Sequence, residues 1–190
     1  MTIIGNTALK VAPDEAPRDK RVNVFQGSFE VSNDPSVFFA TILGSCVAVC
    51  MRDPVAGVGG MNHFLVPGDQ REDTANLSYG VHSMELLING LLKKGARRHR
   101  LEAKLFGGAK VIAGVIDVGN SNSKFAREFL KKENIPCLGE SLGGNSARRV
   151  HFWPVSGRVR QLFVTIDAAP PVKTTAPPKP ADDGNDIEFF

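Results

Sequence analysis

Cys46 and His63 are the two residues of this 190-residue chain whose types and spacing suit covalent chemistry. A thiol becomes a nucleophile when an imidazole takes its proton, and the thiolate then attacks a carbonyl carbon. Gly44 and Ser45 precede the cysteine, and the backbone N–H groups of residues 44–46 are candidates to hold the oxyanion of a tetrahedral intermediate. A third group usually orients the imidazole, and Thr41 and Ser45 are the nearby hydroxyls. On residue type alone packing competes with catalysis, because cysteine is among the residues most often buried.

The elements that carry the pair decide whether it can meet. The stretch from Thr41 to Cys50 reads as one apolar strand and Val58 to Pro67 as its partner, joined by a turn at Asp53-Pro54 with Gly57 supplying a left-handed residue. If residues 54–57 form the loop, Asp53 pairs with Val58, Cys46 faces Leu65, and His63 is a diagonal neighbour at a Cα separation of ~7–8 Å. If the loop is only Pro54-Val55, Cys46 and His63 face each other at ~4.5–5.5 Å. The two registers differ by an even shift, so both put the side chains on one face. A single bulge at Gly59-Gly60 would separate them.

Around this hairpin the pattern is mixed. Asn23 to Val31 reads as a strand, and Gly68 to Leu77 as a polar loop. Apolar residues at 84, 87, 88, 91 and 92 give a helix over 79–94, closed by Gly95. Leu101 to Phe106 is a strand ending at Gly107-Gly108, followed by a short apolar segment over 111–118. Gly119 to Ser123 supply capping residues for a second helix over 124–134, which Pro136 stops. Strands follow at 135–142, 148–153 and 158–166, the last two joined by a turn at Pro154 to Gly157. Hairpins on both flanks of the helices argue for an α+β domain with mixed sheets. Residues 1–20 read as a flexible arm, 21–167 as the folded domain, and 168–190, rich in proline, as a disordered tail.

Composition excludes several classes. Hydrophobic residues make up 42% and charged residues 23%, the balance of a soluble globular protein. A formal charge of +3 is too small to argue for nucleic acid. No apolar run is long enough to span a bilayer, and no signal peptide opens the chain, so a cytoplasmic protein without membrane insertion is expected. Three cysteines do not make a disulfide framework, and Cys50 and Cys137 read as core. Trp153 with Phe152 reads as core too. A zinc site lacks paired ligands, so no metal or organic cofactor is expected. Arg97 to Arg100 read as a solvated helix end or, less simply, a docking cluster; the acidic–aromatic end, Asp186 to Phe190, reads as the close of the tail or a tethering peptide.

Longer motifs narrow the reading. Leu43-Gly44-Ser45-Cys46-Val47, Asp53 to Gly57 and Gly60-Met61-Asn62-His63-Phe64-Leu65-Val66-Pro67 together resemble the chemoreceptor glutamine deamidases, the CheD family. The resemblance continues through Met84 to Asn89, Lys104 to Ala109, Gly119 to Leu130, and Gly143-Gly144 with Arg148-Arg149-Val150, covering about residues 20–166. It implies catalysis by Cys46 and His63 with a threonine. The family's threonine stands six residues before the cysteine, where this chain has Ala40, so Thr41, one residue later, is assigned the role. It also implies hydrolysis of receptor glutamine side chains to glutamate, with glutamyl methyl-ester cleavage as a related activity, and no cofactor. Methyl-accepting chemotaxis receptors and the CheC phosphatase are the implied partners, and a weakly active chemotaxis adaptor is the alternative. The fold implied is that of the necrotizing-factor-like cysteine hydrolases, mixed sheets sandwiched by helices.

Overall fold

Val47 to Met51 are buried without interruption, which requires a strand covered on both faces. In the computed structural model, which describes residues 19–66, 74–110 and 118–164, this run is strand β4 (Val47–Asp53). Val47, Val49 and Met51 face the helices, while Ala48 and Cys50 face a second sheet. The other strands are β1 (Lys20–Asn23), β2 (Phe29–Ser32), β3 (Val37–Leu43), β5 (Val58–Phe64), β6 (Glu102–Gly107), β7 (Cys137–Leu142), β8 (Ala147–Phe152) and β9 (Val159–Val164). Helices α1 (Thr74–Lys93) and α2 (Val118–Lys132) complete the elements, with a 3-10 turn at Arg98–Arg100.

The strands form two mixed sheets, a four-stranded one in the order β1-β3-β8-β9 and a five-stranded one in the order β2-β5-β4-β6-β7. The pairs β1–β3 and β6–β7 are parallel and the rest antiparallel. Between the five-stranded sheet and the helices lie Phe64, Leu105, Met84, Leu87, Ile88, Leu91, Phe125, Phe129 and Leu130. Between the two sheets lie Met61 and Phe106 against Phe39, Leu43, Val150 and Phe152. The expected α+β class with mixed sheets is thus realised as three layers, helices on sheet on sheet.

The β4–β5 hairpin has the four-residue-loop register, Asp53 opposite Val58, and no bulge interrupts it at Gly59 or Gly60. Asp53 is fully buried and organises the turn: its Oδ1 accepts from Val55 N and Ala56 N, its Oδ2 from Arg97 N and Arg100. The Arg97–Arg100 segment therefore serves the fold in part; Arg98 adds ion pairs to Glu85 and Glu133. Both helices end in six-to-one hydrogen bonds around a left-handed residue, Gly95 after α1 and Asn134 after α2.

Several expectations need correction. The stretch from 41 to 50 is not one strand: the chain bends at Gly44-Ser45-Cys46 and passes from the four-stranded to the five-stranded sheet. Cys46 therefore precedes β4, and its pairing with Leu65 lies beyond the ladder. Residues 23–31 likewise split, β1 and β2 lying in different sheets on either side of a turn at Gln26-Gly27. Helix α1 starts at Thr74, inside the expected loop, and Gly119 to Ser123 are not caps but part of α2. Cys137 is exposed rather than core, because β7 is an edge strand. Trp153 lies half-buried outside the inter-sheet core, where it stacks on Phe38 and carries the Arg158 guanidinium 3.8 Å above its ring. The apolar segment 111–117 and the tail 168–190 lie outside the described residues, as does all of the N-terminal arm but Asp19 and Lys20.

Burial raises the Asp53 pKa, but hydrogen bonds from Ala56, Arg97, Arg100 and Val55 outweigh it and bring the value from 3.8 down to about 2. A depressed folded value means that the stabilisation is present above the unfolded pKa and is lost as pH falls through the folded one. Asp53→Asn is expected to lower unfolding free energy at neutral pH by about 2 kcal/mol. Denaturant titrations should also show the variant losing less stability than wild type as pH falls from 3.8 toward about 2.

Candidate active site

Two connections pass from the four-stranded to the five-stranded sheet, β1 to β2 through residues 24–28 and β3 to β4 through residues 44–46. β1 and β3 are parallel neighbours, and β2 and β4 flank β5 on its two sides. The crossovers therefore run side by side, with the end of β5 between them. His63 sits on that end. Its backbone is tied to the first crossover, Gly27 N donating to His63 O at 2.7 Å and His63 N to Ser28 O at 3.1 Å. Its register partner on the other side is Ala48, two residues after Cys46.

Ala48 faces the four-stranded sheet, and Cys46 packs against the same inter-sheet cluster. The His63 side chain points the same way, reaching Thr41 Oγ1 on β3 at 2.9 Å and Val24 O at 3.5 Å through Nδ1. Thr41, His63 and Cys46 are thus gathered from β3, β5 and the second crossover. Thr41 is on the inward face, while Ala40 pairs with His151 on the opposite one. A one-residue step in a strand inverts the side chain, so Thr41 reaches the imidazole and Ala40 does not.

The tautomer follows from the partners. A carbonyl only accepts and a hydroxyl can accept, so a proton on Nδ1 satisfies both partners, and that tautomer leaves the lone pair on Nε2. Nε2 is buried with no hydrogen-bond partner among the described residues. An orphaned buried acceptor costs free energy, and at a reactive site it marks where a proton is received. Burial pushes the His63 pKa below 6.5, and the opposing pull of Val24 O is too weak to restore it. Burial also pushes the half-buried Cys46 thiol up, partly offset by its own backbone N–H. The resting pair is therefore thiol and neutral imidazole. The Cys46 thiol donates to Gln26 Oε1 at 3.4 Å.

The loop of Gly44 and Ser45 is held by its carbonyls. Gly44 O accepts from Ala109 N at 2.8 Å, Ser45 O from Asn122 Nδ2 at 2.9 Å and Cys46 O from Gly108 N at 2.8 Å. In a trans peptide the N–H points opposite the C=O, so the Ser45 and Cys46 N–H groups are turned away from α2 and the β6 end. Gly107 and Gly108, at φ +114° and +65°, make this approach possible; a Cβ on Gly107 would collide with Cys46 O. Asn122 is the residue that sequence reasoning misplaced. It is fully buried, and its Oδ1 also accepts from Val66 N at 2.7 Å, so it joins the cysteine loop to the segment after His63. An asparagine flanked by serines reads as a cap, and the signal against a cap is the helical period already set by Phe125 and Phe129.

Cys50, on the same face, is fully buried with its pKa pushed up by desolvation, which suits a packing role. Arg148 is buried between sheets, donating to Ser141 and to the Gly143 carbonyl, and so fastens β7's end to β8.

Two measurements test this geometry. NMR titration of His63 should give a midpoint below 6.5. Its unfolded form takes up the proton first, so this group's contribution to stability falls as pH drops below 6.5 toward the folded value. Asn122→Ala should lower stability by ~1–3 kcal/mol, since Ser45 O and Val66 N lose their buried partner.

Residues 65–162 match the family described as CheD chemotactic sensory transduction, a match that begins after His63. Longer similarities span the site. The chain is 55% identical over 181 residues to a probable chemoreceptor glutamine deamidase CheD of Caulobacter vibrioides, covering 93% of this chain and 97% of that protein. It is 56% identical over 177 residues to the protein of the same name from Agrobacterium fabrum, covering 90% and 97%. Among solved structures, Bacillus licheniformis hypothetical protein YfiH aligns with a TM-score of 0.42 at 14% identity, covering 67% of this chain and 61% of that one. With half the chain matched by the family and relatives at this identity along almost its whole length, the protein belongs to the CheD family.

Proposed function

We propose that this protein is a chemoreceptor glutamine deamidase in which Cys46, His63 and Thr41 are the catalytic residues and the Gly44-Ser45 loop holds the oxyanion. One observation carries the assignment of residues: Thr41 Oγ1 engages His63 Nδ1 and leaves the buried Nε2 without a partner, among the described residues, on the face shared with Cys46. The relatives' names supply the substrate, the side-chain amide of receptor glutamines.

The reaction follows from the resting protonation states. His63 Nε2 takes the Cys46 proton as sulfur attacks the glutamine Cδ, so charge forms only as the bond does. The oxyanion is met by the outward N–H groups of Ser45 and Cys46, which are fixed beforehand because their peptide carbonyls are bound on the other side. Imidazolium then protonates the departing amine, ammonia leaves, and a Cys46 thioester remains. Neutral His63 activates water to hydrolyse it, giving glutamate and the free thiol. Thr41 keeps the ring oriented and favours the Nδ1–H tautomer throughout. The partners proposed are receptor cytoplasmic segments and, on the family resemblance, the CheC phosphatase, both met in the cytoplasm. No described helix is long and apolar enough to cross a membrane.

Receptor cytoplasmic fragments incubated with the protein should show glutamine converted to glutamate by mass spectrometry, and Cys46→Ala and His63→Ala should abolish the conversion. If wild type and Cys46→Ala behave alike, the protein is an adaptor and not the enzyme. Activity requires neutral His63, so kcat/KM should rise with pH along an acid limb centred below 6.5. Thr41→Val should lower kcat roughly 10- to 100-fold, less than loss of the base itself, with Thr41→Ser restoring most of it.

A further inference from the structure

The hydrogen-bond acceptor at the Cys46 thiol is the side-chain carboxamide of a glutamine, Gln26, with Oε1 at 3.4 Å from Sγ. This is the functional group that the proposed reaction consumes. Its presentation is rigid at the backbone. The turn is closed by Ser28 N to Phe25 O at 3.0 Å and by Ser28 Oγ, which accepts from Phe25 N and donates to Phe25 O. The same turn is bonded to the backbone of His63 through Gly27 N and Ser28 O. One short segment thus fixes the backbone that carries the carboxamide beside the base, and the side chain reaches the thiol from it. Beyond the backbone the side chain is exposed, and its amide nitrogen has no acceptor among the described residues.

We propose that Gln26 is an internal substrate, and that Cys46 deamidates it in cis to glutamate. The inference rests on the deamidase reading above and extends it to a modification site in the chain itself. The carbonyl carbon lies one bond, about 1.2 Å, from the oxygen already at the thiol, so side-chain torsions of an exposed residue bring it onto the sulfur. Tethering replaces an encounter between molecules, an advantage that reaches effective concentrations of ~10⁵ M or more for well-aligned groups. The Cys46 proton passes to His63 Nε2, the S–C bond forms and the C–N bond breaks. That proton leaves with the amine as ammonia. Water then cleaves the thioester between residues 26 and 46, its oxygen staying in the new side-chain carboxylate at position 26 and one proton returning to sulfur. No other reactant is consumed. The product is a carboxylate beside the thiol, where it opposes thiolate formation and favours imidazolium, both adverse to the next turnover. Deamidation at residue 26 is therefore self-limiting, and a receptor glutamine must displace this side chain to react.

The test is peptide mass spectrometry of the full-length protein, with receptor fragments incubated alongside. Cleavage after Arg21 and Arg52 isolates one peptide in which Gln26 is the sole glutamine, and fragment ions separate it from Asn23 and Asn33. Glutamate should accumulate at residue 26 in wild type and be absent from Cys46→Ala and His63→Ala, two variants whose folding is checked by circular dichroism. Unchanged Gln26 in a wild-type preparation that converts receptor glutamines overturns the inference and leaves the deamidase reading intact. Equal conversion in Cys46→Ala also overturns it, as spontaneous chemistry. If neither the receptor nor Gln26 is converted, the deamidase reading fails and this inference with it.

Discussion

Everything at the site depends on how the chain crosses between its two sheets. A strand pair alone would hold a thiol and an imidazole on one face but would bury both. Here β3 and β4 belong to different sheets, so the three residues between them form a bend at the sheets' common end. Three donors, Ala109 N, Asn122 Nδ2 and Gly108 N, fix the three carbonyls of that bend in succession. Carbonyls fixed on one side leave N–H groups fixed on the other, the preorganisation that the proposed oxyanion role would draw on. The two glycines at the end of β6 are part of the same constraint, since any side chain on Gly107 would push the bend away.

The electrostatics follow from burial more than from charge. Among the described residues no ion pair touches Cys46 or His63; desolvation raises the thiol pKa and lowers that of the imidazole, so both are neutral at rest. Such a pair differs from a preformed thiolate–imidazolium, because separated charge in a poorly solvated place is unfavourable. Strong charge is used elsewhere. Asp53 is fully buried with backbone and guanidinium donors around it, holds the hairpin turn to the segment after α1, and so sets the register that places His63 opposite Ala48.

Much of this was legible along the chain. The hairpin and its turn came from Asp53-Pro54 and Gly57, because turn chemistry is local, whereas the choice between its two registers was made by the ladder that puts Asp53 opposite Val58. The faces of α1 and α2 came from apolar period, and the glycine stop after α1 from backbone freedom. Asn134 ends α2 with the same geometry, a stop that asparagine's tolerance of left-handed backbone permits. Where reading failed, the missing information was non-local. An unbroken apolar run from 41 to 50 is the same pattern whether its strands share a sheet or not. Cys137 and Phe152 are both apolar-strand residues, and only sheet order reveals that β7 is an edge while β8 is internal.

The sequence by itself marked Cys46 and His63 as the pair suited to covalent chemistry and determined the alternation along β4 and β5, a property of the backbone. It also carried the family's motifs. Cys46 lies in the bend before β4, so its place beside His63 was decided by the crossover between sheets. Tertiary structure alone decided that Thr41 and not Ala40 meets His63, because strand β3 approaches β5 from another sheet, with Thr41 directed inward. It decided, too, that Asn122 anchors the cysteine loop across 77 positions of sequence and that Gln26 stands at the thiol across 20. Contacts of that range arise from layer packing and sheet order, which no local propensity encodes.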